Sequence, residues 1–170
     1  MAAAAYLFLV VFLSVYFEVM AGAMGIIVPL AALTVFYLSI SFGWRAGLIT
    51  GTLAGLALDM LYGRELILTP CFMMLTVGAA EFWLYRGDPV SILPNLIPGA
   101  AAAFLTSFPA LAVNSYNTGA LMHNFHLLVF STVSGALLLP LIISLLDYAA
   151  EKFGLPLYRK ARAAAMNKRE

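Results

Sequence analysis

The sequence is short of charge. Asp, Glu, Lys and Arg make up 10% of its 170 residues, against about a quarter in an ordinary soluble domain. Too little polar surface remains to face water on every side, so lipid is expected to be the main solvent of the fold. Cysteine is scarcer still, with Cys71 alone. A single thiol excludes a disulfide framework and a cysteine-based zinc centre, and its place in an apolar run predicts a small buried hydrophobe. Catalytic signatures are missing as well: the chain has no G-x-S-x-G elbow, no H-E-x-x-H helix and no P-loop. Its basic residues form no patch over a soluble fold, which argues against a nucleic-acid partner. The composition excludes a soluble enzyme, and no metal or cofactor is expected.

What is present in quantity is apolar length. Hydrophobic residues make up 64% of the chain, and the mean hydropathy is +0.98. A spanning helix needs about 20 mostly apolar residues. Six segments qualify or nearly do: 2–21, 26–42, 44–62, 66–85, 92–113 and 121–146. The expected fold is all-α, a polytopic membrane protein built as a compact bundle of about six transmembrane helices. Residues 1–150 would form the six-helix domain and residues 151–170 a basic cytoplasmic tail. The first segment resembles a signal peptide with a cleavage site at Ala21-Gly22-Ala23. No basic residue precedes it and Glu18 interrupts it, so an uncleaved helix is expected. The breaks at residues 22–25, 63–65 and 86–89 are glycine-containing turns, and residues 114–119 are expected to be an uncharged polar loop.

Charge asymmetry predicts orientation. Of the nine Lys and Arg residues, six lie at or beyond Lys152. With six spans, Arg45 and Arg86 share the side of that tail and Arg64 stands alone opposite, so both termini are expected in the cytoplasm. Arg159, Lys160, Arg162, Lys168 and Arg169 are candidates for contact with anionic inner-leaflet lipid or a cytoplasmic surface.

The third segment is the most specific. Gly47, Gly51, Gly55, Asp59 and Gly63 recur every fourth residue, which places neighbouring members on one drifting helical stripe. Glycines so placed let a second backbone come close. The stripe, with Leu56 beside it, is expected to be either an internal packing seam or a docking face. Glu18, Asp59 and Glu81 stand in or beside apolar runs, where ionisable groups are costly and functionally suspect. Asp59 could pair with nearby Arg64. Convergence of the three carboxylates would imply an ion path. His123 and His126 are three apart and can share a face, but two imidazoles alone make no metal site.

Residues 51–63 read G-T-L-A-G-L-A-L-D-M-L-Y-G. This run resembles the G-x-x-x-G-L-x-x-D-x-x-x-G signature of the MreD family, the rod-shape-determining membrane proteins of bacteria, with Gly51, Gly55, Leu56, Asp59 and Gly63 on the pattern. Chain length, short loops and the basic tail are similar too. The resemblance implies a non-enzymatic scaffold of the cell-wall elongation machinery in the bacterial inner membrane. Its partner would be an MreC-like membrane protein, and through it MreB and the wall-synthesis enzymes. The family in turn resembles the substrate-binding subunits of energy-coupling-factor vitamin transporters. That alternative would need a polar pocket on the outer side, with Asp59, residues 114–119 and the histidines as candidates.

Overall fold

The computed structural model describes residues 2–64, 66–85, 95–118 and 121–167. Among them are seven helices: α1 (Ala2–Ala23), α2 (Leu30–Phe42), α3 (Trp44–Leu61), α4 (Thr69–Leu84), α5 (Leu96–Thr118), α6 (Leu121–Lys152) and α7 (Tyr158–Asn167). Each of the six apolar segments carries one helix, α1 to α6, and α7 is an addition. Helices α1, α5 and α6 are long and apolar enough to cross a membrane, while α2 and α4 are shorter apolar helices.

Prolines account for several helix starts. Pro29 immediately precedes α2, and Pro70 lies in the first turn of α4, where its missing N–H costs nothing. These positions trim the two helices relative to the apolar runs that contain them. At the other end of the segment pattern, α5 runs on to Thr118, so residues 114–118 are helical and not the loop their polarity predicts.

Helix α2 is the centre of the bundle. Every residue from Ala31 to Ser41 is buried. A helix apolar all round must be surrounded, and α2 touches α1, α3, α4, α5, α6 and α7. The glycine stripe of α3 faces inward against this centre. A Cβ at Gly47 would collide with the Ser39 side chain, and one at Gly51 would lie 3.2 Å from Val35 Cγ1 and 3.4 Å from Met73 Cβ. At Gly55 it would lie 2.6 Å from the Pro70 nitrogen. The stripe is therefore an internal seam that seats α2 and the start of α4, and it is closed to an outside partner. Leu56 stands off the seam, half-buried. Gly63 ends the run with φ +60, in the left-handed region that favours glycine. A second seam joins α5 to α6, where a Cβ at Gly99 would lie 2.5 Å from the Gly135 carbonyl oxygen.

The C-terminal segment departs from expectation. It folds back as α7 against α2 and α6. Arg162 is fully buried, so it does not face lipid or cytoplasm; Arg159 and Lys160 of α7 are exposed. Lys168 and Arg169 lie outside the described residues. Cys71, expected inside, is exposed on α4.

Candidate functional site

Polar side chains gather at the two ends of the bundle. At one end, α3 finishes and α4 begins, and Asp59 is the hub. Its carboxylate is almost completely buried, accepts from the Thr69 backbone N–H at 2.9 Å and forms a short hydrogen bond with the Thr69 hydroxyl. Arg64 Nη1 donates to Asp59 Oδ1 at 3.1 Å and to Thr69 Oγ1 at 2.6 Å. The carboxylate thus satisfies an orphan N–H at the start of α4 and neutralises the arginine of the turn. Asp59 pairs with Arg64 as its position suggested, while its bond to Thr69, ten residues on, had no signal in the spacing.

Glu18 does the same for another helix. It reaches across from α1, and its Oε2 accepts from the Ala31 N–H at 2.7 Å, inside the first turn of α2. The aromatic ring of Tyr62 lies over Gly22, and its hydroxyl donates to the Glu18 carbonyl oxygen at 3.2 Å. A side chain on Gly22 would fill the space that this ring occupies.

Between these groups lies a partly open cavity of about 250 Å³. Glu18, Tyr62, Arg64 and Thr69 form its polar wall. Ile27, Val28, Leu58, Met73 and Leu111 form an apolar one, with Thr106 and Ser107 of α5 between them. Ser107 and Ser131 share a 2.6 Å hydrogen bond that ties α5 to α6. Nearer the ends of those helices, Asn114 Nδ2 donates to Asn124 Oδ1 at 3.1 Å, and Asn124 Nδ2 to Ser115 Oγ at 2.8 Å.

Glu81 does not join this group. It stands twelve residues beyond Thr69 on α4, about 18 Å along the helix axis at 1.5 Å per residue. The three carboxylates therefore do not converge, and an ion path through them is removed. His126 is exposed and is not among the residues that line this cavity; the His123 side chain lies outside the described part. Among the described residues no group of three or more His, Cys, Asp or Glu side chains could hold a metal.

The opposite end is a second buried network that sequence reasoning missed. Asp147 of α6 accepts from the Tyr37 hydroxyl at 2.9 Å and from the Tyr158 backbone N–H at 2.8 Å. It thereby links the central helix to the first turn of α7. Asn95 Oδ1 accepts from the Tyr158 hydroxyl and from Arg162 Nη1, each at 3.1 Å. The Arg162 guanidinium lies 5.8 Å from the Trp83 ring centre and 5.9 Å from that of Tyr158, a cation held between aromatic faces. Burial pushes the Tyr158 phenol up to about 12. The only signal in the sequence was the presence of Asp147 near the end of an apolar run, and its partners lie in other segments.

Set against known families, curated proteins and solved structures, the chain finds no significant match in any of the three.

Proposed function

We propose that the protein is a non-enzymatic scaffold of the bacterial inner membrane, acting in the cell-wall elongation machinery in the manner of the MreD family. In this reading α1 to α6 each cross the membrane, both termini are cytoplasmic, and the Asp59 end faces outward. The observation that carries the reading is the run at residues 51–63, with Gly51, Gly55, Leu56, Asp59 and Gly63 on the family pattern. The fold gives that run a physical meaning. Its glycines and aspartate hold α2, α3 and α4 together, so the partner surfaces of the scaffold lie elsewhere.

Helix α1 offers such a surface. Phe8, Phe12 and Tyr16 stack in a row along its exposed side. We assign this row to a membrane helix of an MreC-like partner, with MreB and the wall-synthesis enzymes reached through that partner. A vitamin-transporter subunit is the less favoured reading, because the cavity of about 250 Å³ falls below the roughly 300 Å³ at which ligand pockets usually begin.

The test is capture of tagged protein from native membranes in mild detergent, with cell shape scored after depletion. Recovery of elongation proteins that is lost in the Phe8→Leu, Phe12→Leu, Tyr16→Leu triple variant supports the scaffold. Unchanged cell shape together with no recovered membrane partner would sink it.

A further inference from the structure

The cavity at the Asp59 end has an electrical imbalance that the scaffold reading leaves unused. Among the described residues that line it, Arg64 is the one cation, and it bonds directly to Asp59 and Thr69. Glu18 lies within the field of the same cation but forms no ion pair with it. One of its oxygens accepts from the Ala31 N–H, and no described donor bonds the other. The remaining polar groups are occupied: the Tyr62 hydroxyl by the Glu18 carbonyl, Ser107 by Ser131, and Thr106 by the Ala102 carbonyl oxygen of its own helix. A carboxylate beside a largely apolar wall gains from a bound cation that spares it from taking up a proton.

The shape and walls narrow the choice. A volume of about 250 Å³ equals roughly eight waters at about 30 Å³ each, enough for a ligand of about ten non-hydrogen atoms. The side chains of Ile27, Val28 and Leu111 offer no oxygen ligands to a bare metal ion, which needs several. They suit an apolar body.

We propose that this cavity binds a small organic ammonium ion, its charged nitrogen donating to the free oxygen of Glu18 and its apolar body resting against Ile27, Val28 and Leu111. The ammonium comes from a free primary amine or from the headgroup of an aminophospholipid. The site stands independently of the scaffold assignment.

The experiment is calorimetric titration of the full-length protein in detergent. The probe is phenethylamine, and its neutral and anionic isosteres are 2-phenylethanol and phenylacetate. Phenethylamine binds, and the isosteres bind at least about tenfold more weakly, the loss expected for one charge-assisted hydrogen bond. Glu18→Gln keeps an acceptor for Ala31 and weakens the amine by about the same factor. Thr106→Met leaves Glu18 in place, fills the cavity and abolishes binding. Thermal midpoints without ligand check that both variants fold. Preference for phenylacetate, or wild-type affinity in both folded variants, or no binding of phenethylamine, overturns the proposal. Competition by dihexanoyl phosphatidylethanolamine assigns the site to a lipid headgroup, and lack of competition assigns it to a free amine; each supports an ammonium site.

Discussion

The Asp147 carboxylate of α6 sits 2.8 Å from the Tyr158 backbone nitrogen and 2.9 Å from the Tyr37 hydroxyl, so one side chain caps α7 and ties it to the centre of the bundle. Removing it leaves two buried donors without a partner, each costing about 1–3 kcal/mol. Asp147→Ala is expected to release α7 while the bundle remains folded. Limited trypsin digestion in detergent checks this, since Arg159 and Lys160 then become cleavable much faster than in the wild type.

Arg162 tests the same latch from the other side. Its planar guanidinium donates to Asn95 while lying between Trp83 and Tyr158. Lysine keeps the charge but not the plane, so the exchange is not conservative here. Arg162→Lys is expected to destabilise the protein by about 2 kcal/mol, the order expected for losing a charge-assisted hydrogen bond with its aromatic contact. A thermal midpoint equal to that of the wild type would contradict this role.

The glycine seam makes a graded prediction. Gly55→Ala drives a methyl group to 2.6 Å from backbone at Pro70, which cannot rotate away, whereas Gly78 on α4 has nothing within 4 Å. The first change is expected to cost about 1–3 kcal/mol by overpacking. The second is expected to be neutral, or to stabilise by up to about 1 kcal/mol through helix propensity. Parallel thermal unfolding of the two variants decides it.

Alkaline pH probes Tyr158. Its phenol is raised from 10.0 to about 12, chiefly by burial. A raised value means the folded state favours the protonated form. The contribution is fully present below pH 10 and is lost as pH climbs from 10 to about 12. In Tyr158→Phe that limb of the stability curve should flatten, which a pH series of thermal midpoints for the two proteins would reveal.

Asp59 carries the last prediction. Asparagine in its place keeps the shape but gives up the charge that Arg64 and Thr69 share. Because Arg64 is one-third exposed, at 32%, water softens the loss of the ion pair, and most of the cost comes from the buried bonds to Thr69. Asp59→Asn is expected to lower stability by about 2 kcal/mol. Thr69→Val removes the hydroxyl bond alone and should cost less.

Much of the architecture was legible along the chain. The apolar runs marked α1 to α6 because a long apolar stretch leaves a one-dimensional trace that needs no knowledge of partners. Gly47, Gly51 and Gly55 announced close backbone approach for the same reason, since only a missing side chain permits it. Other features left no trace. Nothing local to Arg162 separates it from Arg159 or Lys160; all three read as a basic tail. The polarity of Asn114 and Ser115 suggested a loop, yet Asn124 supplies the hydrogen bonds that let them stay helical.

The sequence by itself determined the apolar character of this protein, the helical class and the approximate course of α1 to α6. These depend on hydropathy, proline and glycine acting within one segment. Only the tertiary structure decided that the glycine stripe turns inward, that Glu18 caps α2 from α1, and that Asp147 secures α7. Each of those rests on a contact across elements, up to 110 residues apart for Tyr37 and Asp147. A buried polar group takes whichever partner packing brings within hydrogen-bond reach.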